Sequence, residues 1–264
     1  MIVAAARSGA RTAYVTRLGE DEFGRMFLEL WRQEGVDTRG VALDPQAFTA
    51  AYFVTHGAAG HAFTYLRAGS AASRMRPQDL PLDLIRSARI VHASGISLAV
   101  AQAATQAALA AACGKVSFDS NLRLRLWPLE RARVGIAAAA ALADYFFPSL
   151  EDARSLSGLR DEQAILDWAH GLGAKAVFLK LGAGGVWVSD GDKRERIAGH
   201  KVQAVDATGA GDCFCGAALA RLAAGDSIWE AARYANAAAA LATTGYGAVA
   251  PLPRPEGVRR LLAT

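Results

Sequence analysis

The feature that most constrains the fold is a regular alternation of strand-like and helical patterns from residue 88 onward. Short apolar runs rich in β-branched and aromatic residues predict strands, and longer alanine-rich stretches predict helices. The predicted strands read IVHASG, KVSFDSN, YFFPSL, AVFLKLG and GVWVSD. The predicted helices read SLAVAQAATQAALAAACG, LERARVGIAAAAALAD and DEQAILDWAHGLG, with two more over 213–224 and 227–243. This order predicts an α/β fold in which helices cover both faces of a parallel sheet.

Residues 49–68 interrupt the alternation. Two strand-like runs, AYFVTH and AFTYLR, are joined by HGAAGH with no helix between them, which predicts a β-hairpin. We expect this hairpin to project as a flap over a ligand site. No linker is long enough to divide the chain, so we expect residues 1–264 to form one domain with the flap inserted in it.

Composition narrows the class of partner. The formal net charge is +4, but the basic clusters are short and interrupted, so we expect a small anionic ligand rather than a nucleic acid. Three cysteines give neither a disulfide framework nor zinc-ligand spacing. The longest apolar run, RVGIAAAAALADYFF, is too short to span a membrane, and the chain does not begin with a secretory signal. We therefore expect a cytoplasmic protein without a membrane partner.

The loops that follow the predicted strands are the expected ligand site, and VDATGAGDCFCGA is the most informative stretch. A strand-like run, HKVQAV, precedes it and a helix follows. Gly209, Ala210 and Gly211 carry little side-chain bulk, so their N–H groups and the helix dipole suit an anion. Asp212 beside them suits a general base that accepts a hydroxyl proton during phosphoryl transfer. The alternative is that Asp212 only caps the helix.

The stretch DATGAGDCFCGA closely resembles the signature of the ribokinase-like (PfkB) family of carbohydrate kinases, and GEDEFG at 19–24 resembles that family's N-terminal motif. The resemblance implies a ribokinase-like parallel-sheet sandwich with a small β lid. It also implies that Asp212 is the catalytic base and that Gly209–Gly211 form the anion hole. Asp206, Thr208 and the stretch TTGYGA match positions that often hold a monovalent cation, so K⁺ is a candidate cofactor.

Three stretches look like the 2-keto-3-deoxygluconate kinase branch of that family: FTYLRAGSAAS, ASGISLAV and FDSNLRLRLW. The resemblance implies that a sugar acid is held by Tyr52, Tyr65, Arg67, Asn121 and Arg123. The chemistry agrees, because guanidinium groups bind carboxylates bidentately. Each residue alone is also explained by flap packing or a surface ion pair. Fructose and ribose therefore remain alternative substrates.

The nucleotide side is predicted around LKLGAGG. The expected ATP-binding residues are Lys180, Gly182, Gly184, Gly185 and Asn236. Glycines there let the backbone approach a phosphate or ribose, although no Rossmann fingerprint is present. Asn236 matches a family position near the adenine, and a core or capping amide explains it almost as well.

Mg²⁺ is expected to bridge the ATP phosphates and to be held through water. Where the family often carries an Asn-x-x-Glu motif, this chain reads SLED, so Asp152 is a candidate that acts on the metal from the second shell.

The start of the chain departs from the family pattern. Relatives begin with a strand and a Gly-Gly loop, whereas MIVAAARSGARTAYV resembles the middle of the following helix. About one βα unit is therefore expected to be missing. Either the start codon is assigned too late, or the protein is a truncated, non-catalytic nucleotide-binding remnant. Apolar flap residues Phe53, Phe63 and Leu66 also suggest a homo-oligomer through the flap.

Overall fold

The computed structural model describes residues 1–57 and 60–263 and begins with an α/β unit. Its elements are α1 (Ile2–Arg7), β1 (Thr16–Gly19), α2 (Glu22–Gln33) and β2 (Val41–Asp44). Strands β1 and β2 pair in parallel and form a two-stranded sheet. The Asp21 side chain caps α2 by accepting from the Gly24 amide, and it also accepts from the Thr49 amide at 2.7 Å. The GEDEFG motif thus anchors the chain that enters the flap.

The flap is an antiparallel pair, β3 (Ala51–Gly57) and β4 (Gly60–Leu66), that forms its own two-stranded sheet. The centre of the predicted turn, residues 58 and 59, lies outside the described residues, as does the side chain of Phe63. After the flap, the backbone of Ala71 donates to Phe48 O at 2.9 Å, so both ends of the hairpin are fixed to each other. A short helix, α3 (Leu82–Ser87), then leads to the large sheet.

The large sheet has six strands in the order β10-β9-β8-β7-β6-β5. They are β5 (Ile90–Ser94), β6 (Lys115–Asp119), β7 (Tyr145–Phe147), β8 (Ala176–Lys180), β9 (Val186–Ser189) and β10 (Arg194–Ile197). Strands β5 to β8 are parallel, as predicted, but β9 and β10 run antiparallel. The reason is a short connection: only Leu181 to Gly185 separate β8 from β9, and a parallel crossover needs a dozen residues or more.

Two layers of helices cover this sheet. One face packs on α4 (Gly95–Ala110), α5 (Leu129–Ala141), α6 (Leu150–Ser157) and α7 (Glu162–Gly171). The other packs on α1, α2, α8 (Ala210–Ala224), α9 (Ile228–Ala242) and α10 (Pro255–Leu262). Side chains alternate between the faces, so Phe146 meets the first layer while Phe147 meets the second. The predicted α/β class, a ribokinase-like layered fold, is confirmed.

Some elements differ from the sequence predictions. The run HKVQAV at 200–205 is assigned to no strand, and the backbone N–H groups of Val205 and Asp206 donate to Thr243 O instead. Strands β2 and β10 and helix α6 were not predicted. Strand β10 reads RERI, an edge strand without the apolar pattern that marks a buried one.

Arg7 links the N-terminal α/β unit to the loop between α9 and α10. Its guanidinium hydrogen-bonds both oxygens of Glu34 and donates to Val249 O at 3.0 Å and Leu252 O at 2.7 Å. Both side chains are largely buried, so this pair is shielded from solvent. The hydrogen bonds from Arg7 lower the pKa of Glu34 below its ordinary value of 4.5.

We predict that Arg7→Met lowers the free energy of unfolding by about 2–3 kcal/mol, because the Glu34 carboxylate loses its main partner. Since the folded-state pKa of Glu34 is lowered, its contribution is present above the unfolded pKa and is lost as the pH falls through the folded one. The stability difference between the two proteins should therefore shrink on acidification below about pH 4.5. Urea unfolding at several pH values measures this.

The matched control is Arg25→Met, which removes an exposed i,i+3 pair with Glu22 and should leave stability unchanged. A pH-independent difference for Arg7→Met would contradict the assignment.

Candidate active site

The first turn of α8 presents backbone N–H groups at the carboxyl end of the sheet. Gly209, the residue before the helix, has φ +79°, a conformation that favours glycine. The Ala210 amide donates to Ala207 O at 3.1 Å, and the first helical bond runs from Cys213 N to Gly209 O. The amides of Gly211 and Asp212 therefore precede the first helical bond and, with the positive end of the helix dipole, suit an anion.

Asp212 lies in the same turn, with its side chain about half exposed (48%). The backbone nitrogen of Met1 lies 3.9 Å from its Oδ1. Asp212 raises the pKa of Tyr52 on the flap, after burial, which is the larger cause. The flap is thus close enough to Asp212 for their charges to interact.

Arg67, at the end of the flap, packs against two tyrosine rings. Its Cζ atom lies 5.8 Å from the ring centroids of both Tyr52 and Tyr65, which are paired across the hairpin. The positive charges of Arg67 and Arg123 partly oppose the rise in the pKa of Tyr52. The structure therefore brings four of the five predicted sugar-acid residues to the side of the cleft that Asp212 faces.

Three buried polar atoms of predicted site residues have no hydrogen-bond partner among the described residues: Arg67 Nε, Asn121 Oδ1 and Thr208 Oγ1. Such atoms cost free energy unless a ligand or water completes them. Asn121 also has φ +28°, in the left-handed region that side chains other than Asn and Asp rarely adopt. Strain and an unsatisfied amide at one residue are typical of a binding position.

Asp206 joins two loops beneath the flap. It is 3% exposed, and its carboxylate accepts from the amides of Thr208 and Gly247, each at 2.9 Å. An open pocket of about 410 Å³ lies between the flap and these loops. Its lining residues are Tyr52, Val54, Asp206, Thr208, Tyr246, Gly247 and Ala248.

Some residues predicted to bind the nucleotide have an accessible backbone, whereas others are explained by packing. Gly182 has φ +57° and open space where a side chain would point, so its backbone is accessible. A side chain at Gly185 would meet Ile197 O at 2.0 Å, and this glycine is therefore explained by packing. Asn236 is buried and donates to Ala198 O at 2.7 Å. This contact is the one expected if Asn236 is a core amide rather than a residue that binds adenine.

Asp152 is engaged with the loop after β6. Its Oδ2 accepts from Ser120 Oγ at 2.7 Å and from the Leu122 amide at 3.0 Å, while Ser149 caps α6 by accepting from the Asp152 amide. Across residues 1–57 and 60–263, no group of three or more His, Cys, Asp or Glu side chains is arranged to hold a metal.

Sequence reasoning missed three residues near the site. Tyr14 packs edge-to-face against Trp31, and burial together with the charge of Asp212 raises the pKa of Tyr14. Burial lowers the pKa of His92 to about 3, so this imidazole is neutral, and its Nδ1 lies 2.9 Å from Ser117 Oγ. Asp119, at the end of β6, forms a salt bridge of 2.8 Å with Lys180 at the end of β8. All three contacts join residues far apart in sequence, so no local pattern signals them.

A helix start that suits an anion, a carboxylate beside it and a lid over both define an α/β kinase that acts on a hydroxyl group. The comparisons with known proteins agree. The model of the "pfkB family carbohydrate kinase" matches residues 1–255. The chain belongs to the pfkB family of carbohydrate kinases and is an ATP-dependent sugar kinase.

Individual relatives differ in substrate. The chain is 36% identical to a probable fructokinase-4 from Arabidopsis thaliana, over 98% of this chain and 84% of that protein. It is 37% identical to a 2-dehydro-3-deoxygluconokinase from Thermoproteus tenax, over 98% and 82%. The crystal structure of a fructokinase from Vibrio cholerae O395 bound to fructose, ADP and calcium superposes with a TM-score of 0.88 at 31% identity, over 99% and 88%. The family is thus confirmed, and the sugar is not decided by these relatives.

Within the described ranges, no helix combines the length and apolar character that crossing a bilayer requires.

We predict that Asn121→Gly is at least as stable as the wild type, because glycine relieves the positive φ and the deleted amide oxygen has no partner in the described structure. Asn121→Ala, which keeps the strained Cβ, should be less stable than Asn121→Gly. Urea unfolding of the three proteins measures this. A loss of more than about 1 kcal/mol in Asn121→Gly would show that the amide serves the fold rather than a ligand.

Proposed function

We propose that this kinase phosphorylates 2-keto-3-deoxygluconate, also called 2-dehydro-3-deoxygluconate, to 2-keto-3-deoxy-6-phosphogluconate. The observation that carries the proposal is Arg67, whose Nε is buried without a partner in the described structure while its guanidinium is held by two tyrosine rings. A guanidinium placed in this way is suited to a carboxylate, because two parallel N–H···O bonds would satisfy it. Fructose and ribose carry no carboxylate to fill that position.

Other residues of the cleft support a sugar acid. Arg123 is close enough to Tyr52 for its charge to oppose the rise in that residue's pKa, so a second cation faces the same space. Asn121 supplies an amide for a hydroxyl, and the rings of Tyr52 and Tyr65 supply an apolar surface for the sugar carbons. The proposed substrate site therefore consists of Tyr52, Tyr65, Arg67, Asn121 and Arg123.

In the proposed mechanism, Asp212 accepts the proton of the 6-hydroxyl as its oxygen attacks phosphorus. The amides of Gly211 and Asp212, with the dipole of α8, then stabilise the charge of the transferring group. Gly209 and Ala210 shape this turn. The flap excludes water, which strengthens these electrostatic interactions.

We propose ATP and Mg²⁺ as the cofactors. The open backbone at Gly182 and the ammonium group of Lys180 near the helix start fit a nucleotide phosphate chain, and Asp152, in the first turn of α6, is close enough to Lys180 for their charges to interact. Gly184 and Gly185 complete the loop that begins at Gly182, Gly185 packs against the backbone at Ile197, and Asn236 donates to the neighbouring Ala198 O. When bound, Mg²⁺ neutralises phosphate charge and orients the triphosphate.

A monovalent cation, K⁺, is proposed at the loops joined by Asp206. Thr208 Oγ1 is buried with no partner in the described structure, and it lies beside a carboxylate that is also buried. Oxygen atoms are suitable ligands for a cation that gives up its hydration water easily, and K⁺ is such a cation.

The second candidate function is a fructokinase. It is favoured by the relatives, among which fructokinases match at the same level of identity as the deoxygluconokinase. The two functions differ in whether the substrate carries a carboxylate, and the arginine variants below separate them.

We further propose that the protein acts in the cytoplasm and that two copies associate through the flap, where Phe53 and Leu66 are exposed.

We predict that Asp212→Asn lowers kcat by about 10²-fold or more, because the general base is lost, while the protein stays folded. The assay is ADP release with MgATP and each sugar. The control is Asp226→Asn, which removes a carboxylate paired with Arg221 at the other end of α8 and should keep wild-type kcat. Full activity in Asp212→Asn would remove Asp212 from the role of base.

We predict that Arg67→Ala and Arg123→Ala each raise the KM for the keto-deoxy acid by about 10- to 100-fold, as expected for the loss of a hydrogen bond to a charged group. Their effect on the KM for fructose should be about threefold or less. Arg125→Ala, on the same loop as Arg123, is the control. Equal effects on acid and neutral sugar would favour the fructokinase reading.

A further inference from the structure

A buried cation lies beneath the turn that is proposed to receive the phosphoryl group. The Lys180 side chain is 13% exposed, and its Nζ lies 2.8 Å from Asp119 Oδ1 and 3.7 Å from Cys215 Sγ. A Cβ placed on Gly211 would lie 3.7 Å from the same Nζ. The ammonium group therefore lies against Gly211, one of the two residues whose amides precede the first helical bond of α8.

The arrangement around Lys180 comes from three separate elements. Asp119 ends β6, Lys180 ends β8, and Cys215 lies on α8. Cys215 Sγ also lies 3.4 Å from Asp119 Oδ2, and burial raises the pKa of this thiol, so it is protonated and donates to the carboxylate. Asp119 thus has one oxygen for the thiol and one for the ammonium, which fixes the position of Nζ.

A buried ion pair is a poor way to stabilise a fold. Desolvating two charges offsets most of their attraction, and apolar side chains of the same volume would serve as well or better. Burial alone would lower the pKa of Lys180, but attraction to Asp119 outweighs it and raises the pKa above its ordinary value. The pair keeps a full positive charge in a buried place beside the anion site, which points to a use for that charge.

We propose that Lys180 is a catalytic residue that neutralises the phosphoryl group during transfer, and that Asp119 is the positioning residue that holds it there. This inference rests on the proposed kinase site and deepens it, since Lys180 then acts on the reacting group and not only on the nucleotide. A bond forms between the substrate hydroxyl oxygen and the γ-phosphorus, and the bond from that phosphorus to the β-phosphate oxygen breaks. The hydroxyl proton goes to Asp212, ADP leaves, and Lys180 keeps its proton throughout.

The first test is Lys180→Met in the full-length chain, with the sugar that the wild type turns over. We expect kcat to fall by about 10²- to 10³-fold, with the KM for the sugar changed about twofold or less. The matched control is Lys175→Met, which removes a lysine bound to the buried Asp144 at the opposite end of the same strands. A kcat within about threefold of the wild type, or an equal loss in Lys175→Met, would overturn the proposal.

A second readout does not need turnover. The dissociation constants of MgADP and of the magnesium complex of the β,γ-methylene analogue of ATP are measured by calorimetry for the wild type and Lys180→Met. We expect the variant to lose about 10-fold or more in affinity for the triphosphate analogue and little for the diphosphate. Equal losses for both would make Lys180 a general nucleotide contact and overturn the proposal. If the wild type phosphorylates no sugar, the proposed function fails, and this comparison still decides the role of Lys180.

The positioning role of Asp119 has its own signature. The charges that act on Lys180 are those of Asp119, Cys215 and Asp152, with Asp119 the strongest, and the neutral ring of His92 lies close enough for the charge of Lys180 to lower its pKa. In Asp119→Asn, the attraction that opposes the effect of burial is lost, so the pKa of Lys180 drops. Lys180 then loses its proton as the pH rises from about 7 to 10, and kcat should fall over that range. The wild type and the control Asp144→Asn should show no such fall in kcat at high pH. A loss in Asp119→Asn that is the same at every pH would show a merely structural role.

Discussion

The buried carboxylate of Asp206 is the contact on which the rest of the site depends. It accepts from the amides of Thr208 and Gly247, and so it fixes the loop before α8 against the loop after α9. The left-handed Gly209, the first turn of α8 and the position of Asp212 all follow directly from that loop. The same two loops form the floor of the pocket that the flap covers. Without this carboxylate, the backbone N–H groups of Thr208 and Gly247 would lose their partner inside the protein.

Charge is arranged on both sides of this floor. Arg67 and Arg123 lie towards the flap, whereas Lys180 lies beneath the helix start, where Asp119 holds it. Asp212 is close enough for its charge to act both on Tyr52 at the flap and on Cys215 beside Lys180. A substrate with a carboxylate at one end and a reacting hydroxyl at the other matches this order of charges, and the triphosphate meets the remaining cation. A fructokinase relative shares the fold, so we propose that the flap side, rather than the reacting centre, decides the sugar.

The order of strands and helices from residue 88 could be predicted because buried parallel strands are apolar throughout and the helices between them are long. DATGAGD could be found because an anion site needs small residues next to a helix start. Strand β9 was predicted but its antiparallel direction was missed, although the short GAGG connection excluded a crossover, and β10 was not predicted. Lys180 and Asp119 are 61 residues apart, so only tertiary structure reveals their pairing. Asn121 shows its strain only as a backbone angle.

The most direct measurement is ADP release by the wild-type chain with MgATP and four compounds: 2-keto-3-deoxygluconate, fructose, ribose and gluconate. A sugar-acid site with two arginines predicts a kcat/KM for the keto-deoxy acid that exceeds the value for fructose by about 10²-fold or more. A kcat/KM for fructose equal to or above that for the acid would contradict the assignment of Arg67 and Arg123 to a carboxylate.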